Sequence, residues 1–209
     1  AAALIAWAQA ELDAMPMPTP AILSAGAPVL LVERVLTPAF CRHLIDVWAA
    51  DHHEGRVSAT VDGKPAALLH DAMKRRLDHK VPQESPLYGA ITDEIARKVA
   101  TEVKKAFQYR RFRAGEYFIT CYDAARGDFF RAHRDDTTPQ AAKRRFALTI
   151  NLNADYDGGE LIFPEFGPIG YRTGAGGGIV FSCSLMHEAR PVRRGRRFAL
   201  LAFLIDPEQ

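Results

Sequence analysis

The chain has 209 residues, of which 48% are hydrophobic and 25% charged, with a formal net charge of +2. These are the proportions of an ordinary soluble globular protein, long enough to bury a core in one domain. The charge is too small to argue for nucleic acid, the apolar runs are far too short to span a membrane, and the basic runs at Lys143–Arg145 and Arg193–Arg197 read as solvated faces.

The three cysteines, Cys41, Cys121 and Cys183, are far apart and form no CxxC pair. That spacing fits neither a disulfide framework nor a thiolate metal site, so a reducing, cytoplasmic location is expected. "AAALIAWAQAELDAM" has no basic leader and reads poorly as a signal peptide. Residues 2–14 suggest a short amphipathic helix, and the prolines of "MPMPTPA" break it. The division expected is an N-terminal helix and linker over 1–20 and one domain over 21–209.

"APVLLVERVL" is a β-branched run that predicts a strand. Thr37-Pro38 offers a helix N-cap followed by a proline in the first turn. Phe40, Leu44, Ile45 and Trp48 then share one helical face. Residues 54–82 carry two glycines, mixed charge and no sustained period, so loops and short strands are expected. Lys74, Arg75 and Arg76 lie near the end of this stretch. As a substrate-side wall they would favour an acidic or carboxylate-bearing substrate. Ser85-Pro86 opens a second helix, where Leu87, Ile91, Ile95, Val99, Val103 and Phe107 recur every four residues and predict one buried stripe.

From about residue 110 the pattern changes to short β-rich runs: "EYFITCY", "RFALTINLN", "GELIFPE", "GGIVFSC" and "RRFALLAFLI". Helices first and strands afterwards predict an α+β chain, and many short strands between turns predict a double-sheet jelly roll over about 110–206.

In "FFRAHRDD", His133 and Asp135 stand two positions apart, which in a strand aims both at one point. A second histidine would complete the two-histidine, one-carboxylate set that leaves open positions on Fe(II). His187, after "GGIVFSC", is the candidate. Arg197 follows ten residues later and enters an apolar strand beside Ala199, Leu201 and Phe203. A buried guanidinium needs a partner, either the carboxylate of a dicarboxylic cosubstrate or a structural Asp or Glu.

The pieces "CYDAARGDFFRAHRD", "RRFALTINLN", "DYDGGELIFPEF", "GGIVFSCSLMHEARPV" and "GRRFALLAFL" occur in the order and spacing of a known family. Residues 113–205 resemble the iron- and 2-oxoglutarate-dependent oxygenases of the prolyl 4-hydroxylase-like group. The resemblance implies a double-stranded β-helix core with supporting N-terminal helices. It implies Fe(II) held by His133, Asp135 and His187, and 2-oxoglutarate anchored by Arg197. Tyr122 matches a tyrosine lining the cosubstrate site. Thr149 and Asn151 share the strand face beside it, Asn151 standing where some relatives have tyrosine. Dioxygen is the second cosubstrate, with ascorbate as an accessory reductant. The activity implied is hydroxylation of an amino-acid side chain or a small metabolite, with succinate and CO2 as coproducts. The reading set against it is a non-catalytic jelly-roll module that binds a metal or ligand. Phe163 and Phe181 read as barrel core. His52, His53, His70 and His79 read as surface or substrate-side residues.

Overall fold

The computed structural model describes residues 5–6, 26–61 and 64–207. The helix expected over 2–14 and the boundary near residue 20 fall outside them, save that Ile5 and Ala6 are helical.

Strand β1 is Leu30–Val32. It is shorter than the ten-residue run that predicted it, because the chain turns at Glu33 and Arg34 takes a left-handed φ of 53°. Helix α1, Pro38–Ala50, starts where Thr37 accepts a hydrogen bond from the Phe40 amide at 3.2 Å. Between the helices lie β2 (His53–Glu54), β3 (Val57–Val61), β4 (Lys64–Leu68), β5 (Lys74–Arg75) and β6 (Leu77–Lys80). Helix α2, Pro86–Phe107, is capped by Ser85 and buries Ile91, Ile95, Val99 and Val103.

The second half holds β7 (Arg113–Asp123), β8 (Phe129–His133), β9 (Arg144–Asn151), β10 (Asp157–Gly158), β11 (Leu161–Ile162) and β12 (Gly170–Tyr171). It ends with β13 (Gly178–Ser182), β14 (His187–Ala189), β15 (Val192–Arg194) and β16 (Arg196–Ile205). "GELIFPE" yields only the two residues of β11, because Pro164 ends the ladder in a short 3₁₀ turn.

A seven-stranded sheet runs β1-β13-β9-β16-β7-β6-β2, and a five-stranded sheet runs β12-β11-β14-β8-β5. The expected double-stranded β-helix forms from these two. Alternation along β16 explains the layering. Phe198, Leu200, Ala202 and Leu204 pack outward into a core with Leu44, Trp48, Ile91 and Val99 of the helices. Arg197, Leu201 and Phe203 point the other way, into the space between the sheets. Phe163 and Phe181 form a separate buried cluster inside that space, packing edge to face at 5.1 Å. Among the described residues no helix is long and apolar enough to cross a membrane.

Candidate active site

His133 closes β8 and His187 opens β14. The two strands pair antiparallel, and the register sets His187 directly across from His133. Cross-strand partners share a sheet face, so the imidazoles meet with ring centroids 4.2 Å apart. Asp135 arrives differently from the strand reading. Strand β8 stops at His133, and the chain bends through Asp135, whose amide donates to the Cys183 carbonyl at 2.9 Å. That bond returns the carboxylate to the same point. Oδ1 lies 3.4 Å from His133 Nε2, and Oδ2 lies 3.3 Å from His187 Nε2.

The tautomers follow from the other ring nitrogens. His133 Nδ1 sits 2.7 Å from the Arg131 carbonyl and His187 Nδ1 sits 3.0 Å from the Leu185 carbonyl. A carbonyl only accepts, so each Nδ1 carries the proton and each Nε2 keeps its lone pair for a metal. One ligand atom from each of the three residues falls within 4.8 Å of the others, and it is the one such group among the described residues. Burial lowers the His133 pKa below its ordinary value, favouring the neutral, ligating form. Burial alone would raise the Asp135 pKa. Where both nitrogens of each imidazole carry a proton, their hydrogen bonds and charge outweigh it and hold the carboxyl well below the usual range.

The triad stands at the junction of two cavities. The inner one, about 80 Å³, is lined by Tyr122, Thr149, Leu161, Phe181 and Arg197. Arg197 is buried. Its Nε donates to Asn151 Oδ1 at 3.1 Å and its Nη2 to Thr149 Oγ1 at 3.3 Å. It lies over the Tyr122 ring at 5.5 Å, directly across the β16–β7 ladder. Among the described residues no Asp or Glu pairs with Arg197, so the structural ion-pair alternative does not hold. The neighbouring Arg196 projects outward to Asp123 at 2.7 Å. Asn151, expected beside the cosubstrate, is itself held in place, with its amide nitrogen donating to the Thr173 carbonyl at 2.9 Å. Gly159, at φ +68°, is pressed on the same guanidinium arm: an added Cβ would lie 2.9 Å from Arg197 Cδ.

The outer cavity, about 290 Å³, opens over the triad between the 56–78 stretch and β9. The basic cluster there divides in a way the sequence reading missed. Lys74 and Arg76 turn inward onto one carboxylate, Asp78, while Arg75 turns outward over Phe129. Alternation in "KRRLD" was the signal: in extended chain, positions 74, 76 and 78 share a face. Arg76 also donates to the Tyr122 hydroxyl at 2.8 Å, tying the two cavities together. Thr137 lines the outer cavity, whereas Asp136 is bonded by the Ser184 hydroxyl. His79, expected at the surface or on the substrate side, is buried with its Nδ1 2.8 Å from the Asp51 carbonyl. His52, His53 and His70 are exposed.

The chain's relatives point to one family. Residues 117–205 match the profile of the 2OG-Fe(II) oxygenase superfamily. A PKHD-type hydroxylase of Burkholderia thailandensis is 30% identical over 182 residues, covering 82% of this chain and 72% of its own. The chain belongs to the PKHD-type hydroxylases of that superfamily. A Synechococcus member is 36% identical over 102 residues, so the match covers 44% of this chain and spans 45% of that relative's length. Solved structures share the fold. A Pseudomonas putida prolyl-4-hydroxylase superposes with a TM-score of 0.63 at 16% identity, covering 87% of this chain and 94% of its own. A Trichoplax adhaerens prolyl hydroxylase bound to a hypoxia inducible factor peptide gives 0.64 at 12%, covering 86% and 84%. Fe(II) and 2-oxoglutarate are the metal and cosubstrate of this family. The triad's free Nε2 atoms and the uncompensated Arg197 fit them.

Proposed function

We propose that this chain hydroxylates an organic substrate, with His133, Asp135 and His187 holding Fe(II) and Arg197 holding the distal carboxylate of 2-oxoglutarate. One observation carries the reading: a buried guanidinium with no anionic partner among the described residues opens onto the same small cavity as a two-histidine, one-carboxylate triad. When bound, the iron and 2-oxoglutarate supply oxidative decarboxylation to succinate and CO2, and one atom of O2 goes to the substrate. The chain's own residues orient and shield. Thr149 and Asn151 fix the Arg197 fork, Tyr122 packs on its face, and Phe163 and Phe181 hold the His187 ring in an apolar wall. Phe130 stacks on the His133 ring at 3.6 Å. Ascorbate belongs to the reading as an external reductant. The substrate, a peptide side chain or a small metabolite, enters through the outer cavity. Three unpaired, buried cysteines suit a cytoplasmic setting.

The test is a screen of peptides and metabolites under Fe(II) and 2-oxoglutarate, following succinate release and product mass. A compound that stimulates succinate release and gains one oxygen atom bears the reading out. Iron and 2-oxoglutarate binding without any coupled product would return the chain to a binding module.

A further inference from the structure

The outer cavity holds more buried positive charge than it answers. Lys74 is 5% exposed, and its ammonium lies 3.0 Å from Asp78 Oδ2 and 2.8 Å from the Arg56 carbonyl. Arg76, equally buried, takes the same carboxylate, with Nε 2.7 Å from Oδ1. One anion therefore serves two cations. An ammonium has three donors, and the described residues offer Lys74 only those two acceptors. Arg56 stands beside it on the cavity wall, and among the described residues its guanidinium reaches only the Ala67 carbonyl at 3.2 Å. The other carboxylates facing the cavity are committed. Asp135 faces the two histidines, and Glu116 lies 3.8 Å from Arg144 and is bonded by Lys80.

The cluster is built rather than incidental. Gly55 donates its amide to the Arg76 carbonyl at 2.8 Å, and an added Cβ there would meet Asp78 Oδ2 at 2.6 Å and Lys74 Cε at 2.9 Å. The backbone that carries Arg56 is thus seated directly on the Lys74–Asp78 pair. A desolvated charge left unanswered is costly, and a metal at the triad would add positive charge nearby. Arg197 poses the same problem in the inner cavity, where the cosubstrate's carboxylate answers it.

We propose that the outer cavity receives a carboxylate of the substrate, bound by the free donor of Lys74 with Arg56 beside it. The buried excess, Lys74 and Arg76 against Asp78, is a single charge, Arg56 being exposed, and a monoanionic carboxylate is enough to answer it. This names the substrate class for the hydroxylase reading and rests on it. Arg75 is turned to solvent and takes no direct part, and Arg76 is held in place by Asp78 and the Tyr122 hydroxyl.

The test uses whole protein with Fe(II) and 2-oxoglutarate under anaerobic conditions. The probes are a broad set of N-acetyl amino acids, each as free acid, methylamide and, for serine, phosphate ester. Binding is read by perturbation of the iron–2-oxoglutarate visible band and by ligand-observed NMR. Free acids are expected to bind more tightly than their amides by roughly ten- to a hundredfold, as for one hydrogen bond to a charged group. Lys74→Met should erase that preference and Lys74→Arg should largely keep it. Arg56→Met should reduce it by less. Acids and amides binding alike, tighter binding of the phosphate ester, no binding by any acid, or an unchanged preference in Lys74→Met would each overturn the proposal. Failure of the hydroxylase reading looks different, because the visible band itself would then be missing.

Discussion

The two sheets of the barrel are built to different standards. The seven-stranded sheet has strands of up to 11 residues and one large apolar core shared with both helices. The five-stranded sheet has strands of two to five residues and buries His187 and Lys74 beside small hydrophobic clusters. Burying titratable groups costs free energy that short strands recover poorly. The small sheet can present them because the large one holds it in place. Asp135 hangs from the Cys183 carbonyl just past β13, and Arg197 and Thr149 reach across from β16 and β9. Stability and chemistry are thus separable by substitution.

The sharpest separation comes from the triad. Asp135→Ala should abolish both iron binding and coupled turnover while unfolding remains cooperative. Metal analysis beside a urea melt checks it, and a collapse of the fold would blur the division drawn between the sheets. On the other side, Ile95→Ala should cost about 2–5 kcal/mol of stability, as buried large-to-small changes do, with iron stoichiometry unchanged. Arg197→Ala should weaken 2-oxoglutarate by about 2–5 kcal/mol, the usual loss for one partner of a buried charged pair. Arg196→Ala, removing an exposed ion pair, should change it by less than about 1 kcal/mol. Comparable losses in the two arginine variants would deny Arg197 a specific role.

The smallest effect tests the buried charge on the small sheet. Burial, then the charge of Arg76, lowers the Lys74 pKa from 10.5 to about 8. Between those values the unfolded chain binds more protons than the folded one, so stability rises with pH. Relative to Lys74→Met, wild type should therefore gain stability as pH climbs from about 8 toward 10.5, by at most about 3 kcal/mol. Paired urea melts at the two ends of that window give the answer, and a flat difference would mean that burial and Arg76 do not disfavour the Lys74 cation in the folded chain.

Local patterns were legible in the sequence wherever one element decides them. Thr37 and Ser85 cap their helices, the four-residue stripe of α2 is buried, and alternation along β16 sends Arg197 inward and Arg196 outward. Spacing also marked His133, Asp135 and His187. What stayed hidden depends on partners far along the chain. Asp135 leaves the strand yet returns to the histidines through Cys183. Asn151 accepts a hydrogen bond from Arg197 on another strand, and Arg76 finds Tyr122 across 46 positions. The outer cavity is assembled from two-residue strands whose own sequences carry almost no period.

The central claim is that the triad and Arg197 form one site for Fe(II) and 2-oxoglutarate. An anaerobic titration of wild type, His133→Ala and Arg197→Ala with Fe(II), followed by 2-oxoglutarate, tests it most directly. Wild type should bind one Fe(II) per chain and develop a visible charge-transfer band. His133→Ala should lose iron and band together, and Arg197→Ala should keep the iron but need far more 2-oxoglutarate to develop the band. A wild-type protein that never shows the band, or a His133→Ala variant that binds iron as well as wild type, would contradict the account.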